Sequence, residues 1–167
     1  WYWVARNGTL SLPDSGLLST SLTDQAFKDV DLYLPVNQWA VDSLTISNCS
    51  LTFAAEGFRL TVTNGLTIAG AGKLGSGALN GGTSPAVLTV GTDLVITNGG
   101  RLYVYSGTTN LDVSGYGATV SVAGVVCIGP SSWIHPFVNQ TNAAGVLLQM
   151  SDLAIATGWA SGRTKAA

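Results

Sequence analysis

The chain has 167 residues, of which only 10% are charged, and its formal net charge is −2 at pH 7. This length fits one domain whose core needs no metal or disulfide, and the positive mean hydropathy of +0.35 argues against a disordered chain. The seven basic residues are scattered, so nothing indicates nucleic acid as a partner, and no run of 18 apolar residues predicts a membrane span.

An aromatic segment opens the chain. Trp1, Tyr2, Trp3 and Val4 alternate like a strand, on a segment too short to form a core by itself. We expect these four residues to belong to an N-terminal cap, or to join one copy of the chain to another.

Two further elements are predicted inside this leader. Residues 21–31 are interpreted as a short helix with Thr23 as its N-cap. Residues 31–41 look extended, with Pro35 marking an edge or a bend. The repeats begin after this leader, so three parts are expected: a cap over 1–40, repeats over 41–160 and a tail over 161–167.

A repeated phrase dominates the rest of the sequence. Residues 60–74 read LTVTNGLTIAGAGKL and residues 88–102 read LTVGTDLVITNGGRL, with apolar residues recurring at an offset of 28. A third copy follows at an offset of 32. The aligned apolar positions are Leu60/Leu88/Val120, Val62/Val90/Val122, Leu66/Leu94/Val126, Ile68/Ile96/Ile128 and Leu74/Leu102/Ile134.

A repeat of this size, with apolar residues at i and i+2, cannot bury its own apolar face and must stack on its neighbours. We therefore predict an all-β fold, a right-handed parallel β-helix (a solenoid) of about five turns with three strands each. Only 16 residues separate Ile46 from Val62, so the first turn is expected to be truncated or merged with the cap. The predicted inward columns are Ile46–Val62–Val90–Val122–Met150 and Phe53–Ile68–Ile96–Ile128–Ile155.

The phrases LTVTNGLTIAGAGKL and LTVGTDLVITNGGRLYVYSG resemble the passenger-type repeats of bacterial autotransporters and related surface proteins with a pectin-lyase-like β-helix. The resemblance covers about residues 41–160 and rests on motif composition. It implies export, an extracellular or cell-surface location in a bacterium, and a role in adhesion, display or polysaccharide contact.

The acidic residues do not form the cluster that a polysaccharide hydrolase or lyase needs. A hydrolase uses two carboxylates at a set separation, and only Asp29 and Asp31 share a strand face, outside the repeats. One histidine and two distant cysteines, Cys49 and Cys127, predict no metal or cofactor site. Both thiols are expected to be free, because about three turns, roughly 14 Å, separate them.

One aromatic group is a candidate contact surface. The offset of 32 places His135 over Tyr103 and Phe137 over Tyr105, all on the outward side of the third strand. Aromatic rings stacked in this way can grip sugar rings or dock another protein chain. Alternatively, the loop 106–117 folds over them as a satellite cluster.

These observations favour a non-enzymatic structural or adhesive module, secreted or on the cell surface. Its expected partners are other copies of itself, joined end to end into a filament, or a polysaccharide. The alternative is a carbohydrate-active β-helix that binds, hydrolyses or cleaves a polysaccharide, or a fragment of one. A third hypothesis, a phage tailspike-like trimer, shares the fold but usually needs a longer chain.

Overall fold

The computed structural model describes residues 8–24, 26–78, 82–107, 116–139 and 144–155. Within these ranges the chain is all-β, as predicted, with one 3-10 helix at Ser15–Leu17 and no helix that could cross a membrane. The strands are β1 (Gly8–Ser11), β2 (Ser21–Leu22), β3 (Val30–Tyr33), β4 (Gln38–Val41), β5 (Leu44–Ser47), β6 (Ser50–Phe53), β7 (Arg59–Val62), β8 (Leu66–Ala69), β9 (Lys73–Ser76), β10 (Ala86–Val90), β11 (Leu94–Ile96), β12 (Arg101–Tyr105), β13 (Ala118–Ile128), β14 (Trp133–Phe137) and β15 (Val146–Ile155).

The strands form two sheets, and every described pair is parallel. The six-stranded sheet has the order β1-β3-β6-β9-β12-β14. The nine-stranded sheet has the order β2-β5-β8-β11-β13-β10-β7-β4, with β15 beside β13. The long strand β13 joins the two halves of this second sheet, because its first part pairs with β10 and its last part with β11.

The strand register confirms the repeat that the sequence contains. Strands separated by 28 and then 32 residues lie side by side with their equivalent apolar residues paired. A shift of one residue would turn every apolar side chain to the opposite face, so the pattern strongly specifies this pairing. Three aligned sets are Leu60–Leu88–Val120, Ile68–Ile96–Ile128 and Leu74–Leu102–Ile134.

Alternation along each strand decides which side chains form the core. In β7, Leu60 and Val62 are fully buried, whereas Arg59 and Thr61 are exposed. Successive side chains of a strand point to opposite faces, so each strand contributes one apolar row to the interior. The buried apolar residues form one continuous cluster; its largest members include Phe53, Phe58, Leu32, Leu44, Ile46, Leu51, Leu60 and Leu66.

The predicted register of the first repeat unit is wrong. Ile46 does not pair with Val62, nor Phe53 with Ile68. The units before residue 60 are shorter than the later ones: β4 pairs with β7 at an offset of 21, whereas β7 pairs with β10 at 28. A complete set of three strands therefore fits over β4, β5 and β6, without truncation. The observed pairs are Val41–Val62, Ile46–Ile68 and Phe53–Ser76.

The leader also contributes strands to both sheets. β1 pairs with β3, β2 with β5, and β4 extends across the expected boundary at residue 40. The predicted helix over 21–31 is wrong, since the ends of this segment lie in β2 and β3. Asp24 and Asp29 have φ angles of 54° and 51°, a left-handed backbone that a right-handed helix does not accommodate.

Both cysteines are free thiols, as the sequence predicted. Cys49 is only 2% exposed, and burial raises the pKa of its thiol. It therefore acts as a small apolar side chain of the core. Cys127 is partly exposed on β13, where it pairs with Val95 on one side and Ala154 on the other.

Gly91, in the turn after β10, is expected to tolerate no side chain. Its N–H donates to the carbonyl of Val62 at 2.8 Å, and an added Cβ would overlap the Thr63 carbonyl oxygen. We expect Gly91→Ala to lower the free energy of unfolding by about 1–3 kcal/mol, because the two strands must move apart.

The matched control for this substitution is Gly65→Ala, in the equivalent turn of the preceding unit. A Cβ added at Gly65 has its nearest neighbour at 3.6 Å, the carbonyl oxygen of Asp93. This variant should stay within about 0.5 kcal/mol of the parent in urea denaturation. Equal losses for the two variants would contradict the close approach at Gly91.

Candidate functional site

An aromatic ladder occupies the outer face of β12 and β14. We define it as Tyr103, Tyr105, Trp133, His135 and Phe137. The parallel register pairs Tyr103 with His135 and Tyr105 with Phe137, the arrangement that the repeat offset of 32 gives. The sequence-predicted contact residues are therefore neighbours in the fold.

The rings of the ladder stack face to face between the two strands. The centroids of Tyr103 and His135 are 5.0 Å apart with 6° between their planes, and those of Tyr105 and Phe137 are 4.9 Å apart at 21°. Parallel rings this close cannot lie side by side in one plane, so their faces must overlap. The ring faces therefore point along the sheet toward the neighbouring strand, and ring edges point toward solvent.

Sequence reasoning missed two members of this surface, Trp133 and Arg101. Trp133 meets His135 edge to face at 5.4 Å, and the guanidinium carbon of Arg101 lies 4.2 Å from the centroid of the Trp133 ring. A cation over an indole face is a favourable contact. The register pairs Arg101 with Trp133, two positions before the Tyr103 and His135 pair and so on the same face of the sheet. The same repeat offset could therefore have identified this contact.

His135 is a stacking residue in this arrangement. Burial lowers the pKa of its imidazole, and the nearby charge of Arg101 lowers it further. The neutral ring is thereby favoured at neutral pH, and a neutral ring stacks on Tyr103 without bringing a second positive charge beside Arg101.

Each of these stacked pairs covers one face of each of its rings, and the outer faces of His135 and Phe137 lie on the last strand, β14. Phe137 is 40% exposed and the following Val138 is 61% exposed, whereas Tyr105 is 9% exposed. β14 is the terminal strand of its sheet within the described ranges. The ladder therefore offers the ring faces of His135 and Phe137 at the end of the sheet.

A polar corner lies on the same sheet, where β3, β6 and β9 begin. The carboxylate of Asp29 accepts a hydrogen bond from the Ser50 hydroxyl at 2.6 Å and from the Lys73 ammonium group at 3.3 Å. The hydrogen bond from Ser50 lowers the pKa of Asp29 most; Lys73 adds to this effect, and partial burial opposes it. Asp29 is therefore ionised at neutral pH, which makes it a poor general acid.

An open pocket of about 490 Å³ surrounds this ion pair. It lies between the turn before β3 and the turns that precede β6 and β9, a combination of segments that the sequence reasoning did not bring together. Its lining combines charged, amide, hydroxyl and apolar groups: Asp24, Phe27, Lys28, Asp29, Asn48, Cys49, Ser50, Ala71 and Lys73. We call this feature the corner pocket.

Other acidic residues stabilise turns. An Asp93 carboxylate oxygen accepts from the backbone N–H of Val125 at 2.8 Å, and Glu56 accepts from the backbone of Ser84 at 2.9 Å and from both Thr83 donors. The hydrogen bonds from Thr83 lower the pKa of Glu56. Within the described ranges, no group of three His, Cys, Asp or Glu residues is placed to hold a metal ion.

The aromatic segment Trp1, Tyr2, Trp3 and Val4 lies outside the described residues, as does the part of the loop 106–117 from 108 to 115. The sequence-predicted surface residues that the structure does describe all lie in the ladder. The chain matches no family model, and comparison with curated proteins and with solved structures also finds no match.

Proposed function

We propose that this chain is a right-handed parallel β-helix and serves as a non-enzymatic structural or adhesive module, secreted or on the cell surface of a bacterium. In this proposal, copies of the module join end to end. The pattern of strand pairing supports the fold, and the composition of the last strands supports the function.

The order in which the chain visits its strands supports a β-helix. Successive triplets β4-β5-β6, β7-β8-β9 and β10-β11-β12 each place one strand in each of three parallel rows. Crossover connections between parallel strands of one sheet are almost always right-handed. A right-handed helix of three-sided turns accounts for this recurrence and for the single continuous core.

The observation that carries the functional proposal is the apolar surface at the C-terminal end of both sheets. The exposed Phe137 is the last residue of β14, and the exposed Val138 follows it. In β15, Leu153 is 45% exposed and Ile155 is 46% exposed. Within the described ranges no strand pairs with the outer edge of β14 or β15. Natural sheets avoid an apolar edge of this kind unless a partner covers it.

A second copy of the chain is the occupant that fits this end best. Each sheet has an N-terminal edge, at β1 or at β2 and β4, and a C-terminal edge at the opposite side. Strands of both edges run parallel to the rest of their sheet, so the N-terminal edge of one copy can continue the parallel pairing of another. Such a head-to-tail contact leaves both ends of the assembly free and can propagate into a filament.

Sedimentation over a range of protein concentrations tests this proposal on the full 167-residue chain. The average mass is expected to rise with concentration, and the double variant Phe137→Lys/Leu153→Lys should stay monomeric because it places two charges in the contact. Thr92→Lys is the matched control, since Thr92 is exposed in the turn between β10 and β11, which are interior strands of their sheet. A parent chain that remains monomeric at millimolar concentration would overturn the proposal.

The second candidate function is contact with a polysaccharide. The ladder supports it weakly, because its flank presents mainly ring edges while sugars pack on ring faces. The corner pocket supports it better, because it is concave and combines charged groups with an aromatic side chain.

A further inference from the structure

The geometry points to the corner pocket as a binding site for one neutral hexose unit of a polysaccharide. This inference deepens the adhesive function proposed above, but it does not depend on end-to-end assembly. It rests on the size of the pocket, on its balance of charge, and on the unused hydrogen-bonding capacity of its central carboxylate.

The size and shape of the pocket suit a small ligand. Its volume of about 490 Å³ lies within the range typical of ligand-binding clefts. Phe27 and Ala71 provide apolar surface, and the polar groups come from three separate segments of the chain. A partly buried aromatic side chain beside convergent polar groups is the usual composition of a site for an amphipathic ligand.

The charges of the lining cancel. The lining contains two carboxylates, Asp24 and Asp29, and two ammonium groups, Lys28 and Lys73. An anionic ligand would meet both carboxylates. A divalent cation would need several converging oxygens, but the central carboxylate is already paired with Lys73. A neutral polyhydroxylated ligand fits the lining, because each hydroxyl both donates and accepts hydrogen bonds.

The Asp29 carboxylate is fixed through one of its two oxygens. Ser50 and Lys73 both donate to Oδ1 of Asp29, and no described group donates to Oδ2. A carboxylate can accept several hydrogen bonds, so Oδ2 is available to a ligand hydroxyl. Two contacts fix Asp29 before the ligand arrives, which lowers the entropic cost of binding.

The experiment titrates the full-length protein with a panel of neutral oligosaccharides, namely linear β-1,4-glucan, β-1,3-glucan, β-1,4-mannan and α-1,4-glucan hexamers. Binding is followed by nuclear magnetic resonance and calorimetry. At least one hexamer is expected to shift backbone signals in 24–29, 48–50 and 71–73. Asp29→Asn should weaken that binding about tenfold, because it removes a charged hydrogen-bond acceptor while asparagine still tolerates the φ of 51° at this position.

The matched control is Asp93→Asn, which changes a turn aspartate outside the pocket and should leave the affinity unchanged. Thermal unfolding of both variants checks that each is folded. Four outcomes would overturn the inference: no shift with any hexamer, shifts confined to the ladder, tighter binding of oligogalacturonate than of every neutral hexamer, or binding that requires Ca²⁺. The sedimentation profile of Asp29→Asn should match that of the parent. A loss of oligosaccharide binding can then be distinguished from a loss of end-to-end assembly.

Discussion

Replacement of Phe53 by alanine is expected to lower the free energy of unfolding by about 3–5 kcal/mol. Phe53 is fully buried on β6, and its ring stacks on that of Phe58 at 4.5 Å with 6° between their planes. The ring of Trp39 lies 5.7 Å away on another side. Three aromatic side chains from separate strands and turns cannot all move inward to fill the space, so truncation leaves a cavity.

Urea denaturation of Phe53→Ala measures this loss, and Tyr33→Ala is the control. Tyr33 is an aromatic residue of β3 with 37% of its side chain exposed, and its truncation should cost under about 1 kcal/mol. A Phe53→Ala variant as stable as Tyr33→Ala would mean that the aromatic cluster does not form the N-terminal part of the core.

The pairing of the later units could be predicted from the sequence because the repeat is explicit there. Leu60, Leu88 and Val120 occupy one slot of a phrase that recurs with the same alternation, and this slot is buried in every copy. Only one register buries all the apolar residues of such strands at once. The parallel arrangement follows, since equivalent strands of successive units run in the same direction.

The earlier units could not be predicted in the same way because their lengths differ. Trp39 and Val41 pair with Leu60 and Val62 at an offset of 21, which no later unit uses. The connections between their strands are short, so the three strands of this unit occupy only residues 38–53. The sequence-based prediction therefore left most of β4 in the leader and placed Ile46 in the column of Val62, whereas Ile46 pairs with Ile68.

The aromatic ladder and the corner pocket also differ in whether the repeat offset predicts them. The Tyr103 and His135 pair lies inside the repeat, so the offset of 32 predicts it. The corner pocket joins Asp29, Ser50 and Lys73, which are separated by offsets of 21 and 23 in the irregular part of the chain. In addition, the segment around Asp29 was predicted to be helical. Sequence periodicity alone could not bring these three side chains together.

Two substitutions test the alternation of inward and outward side chains along the strands. Ile96→Ala is expected to lower the free energy of unfolding by about 2–4 kcal/mol, because Ile96 is fully buried between Ile68 and Ile128. Thr89 has the opposite parity in β10 and is only partly buried, so Thr89→Ala should cost under about 1 kcal/mol. Comparison of the two urea midpoints measures the difference. Similar losses at both positions would contradict the assignment of inward and outward faces, since only an inward side chain leaves a cavity when it is removed.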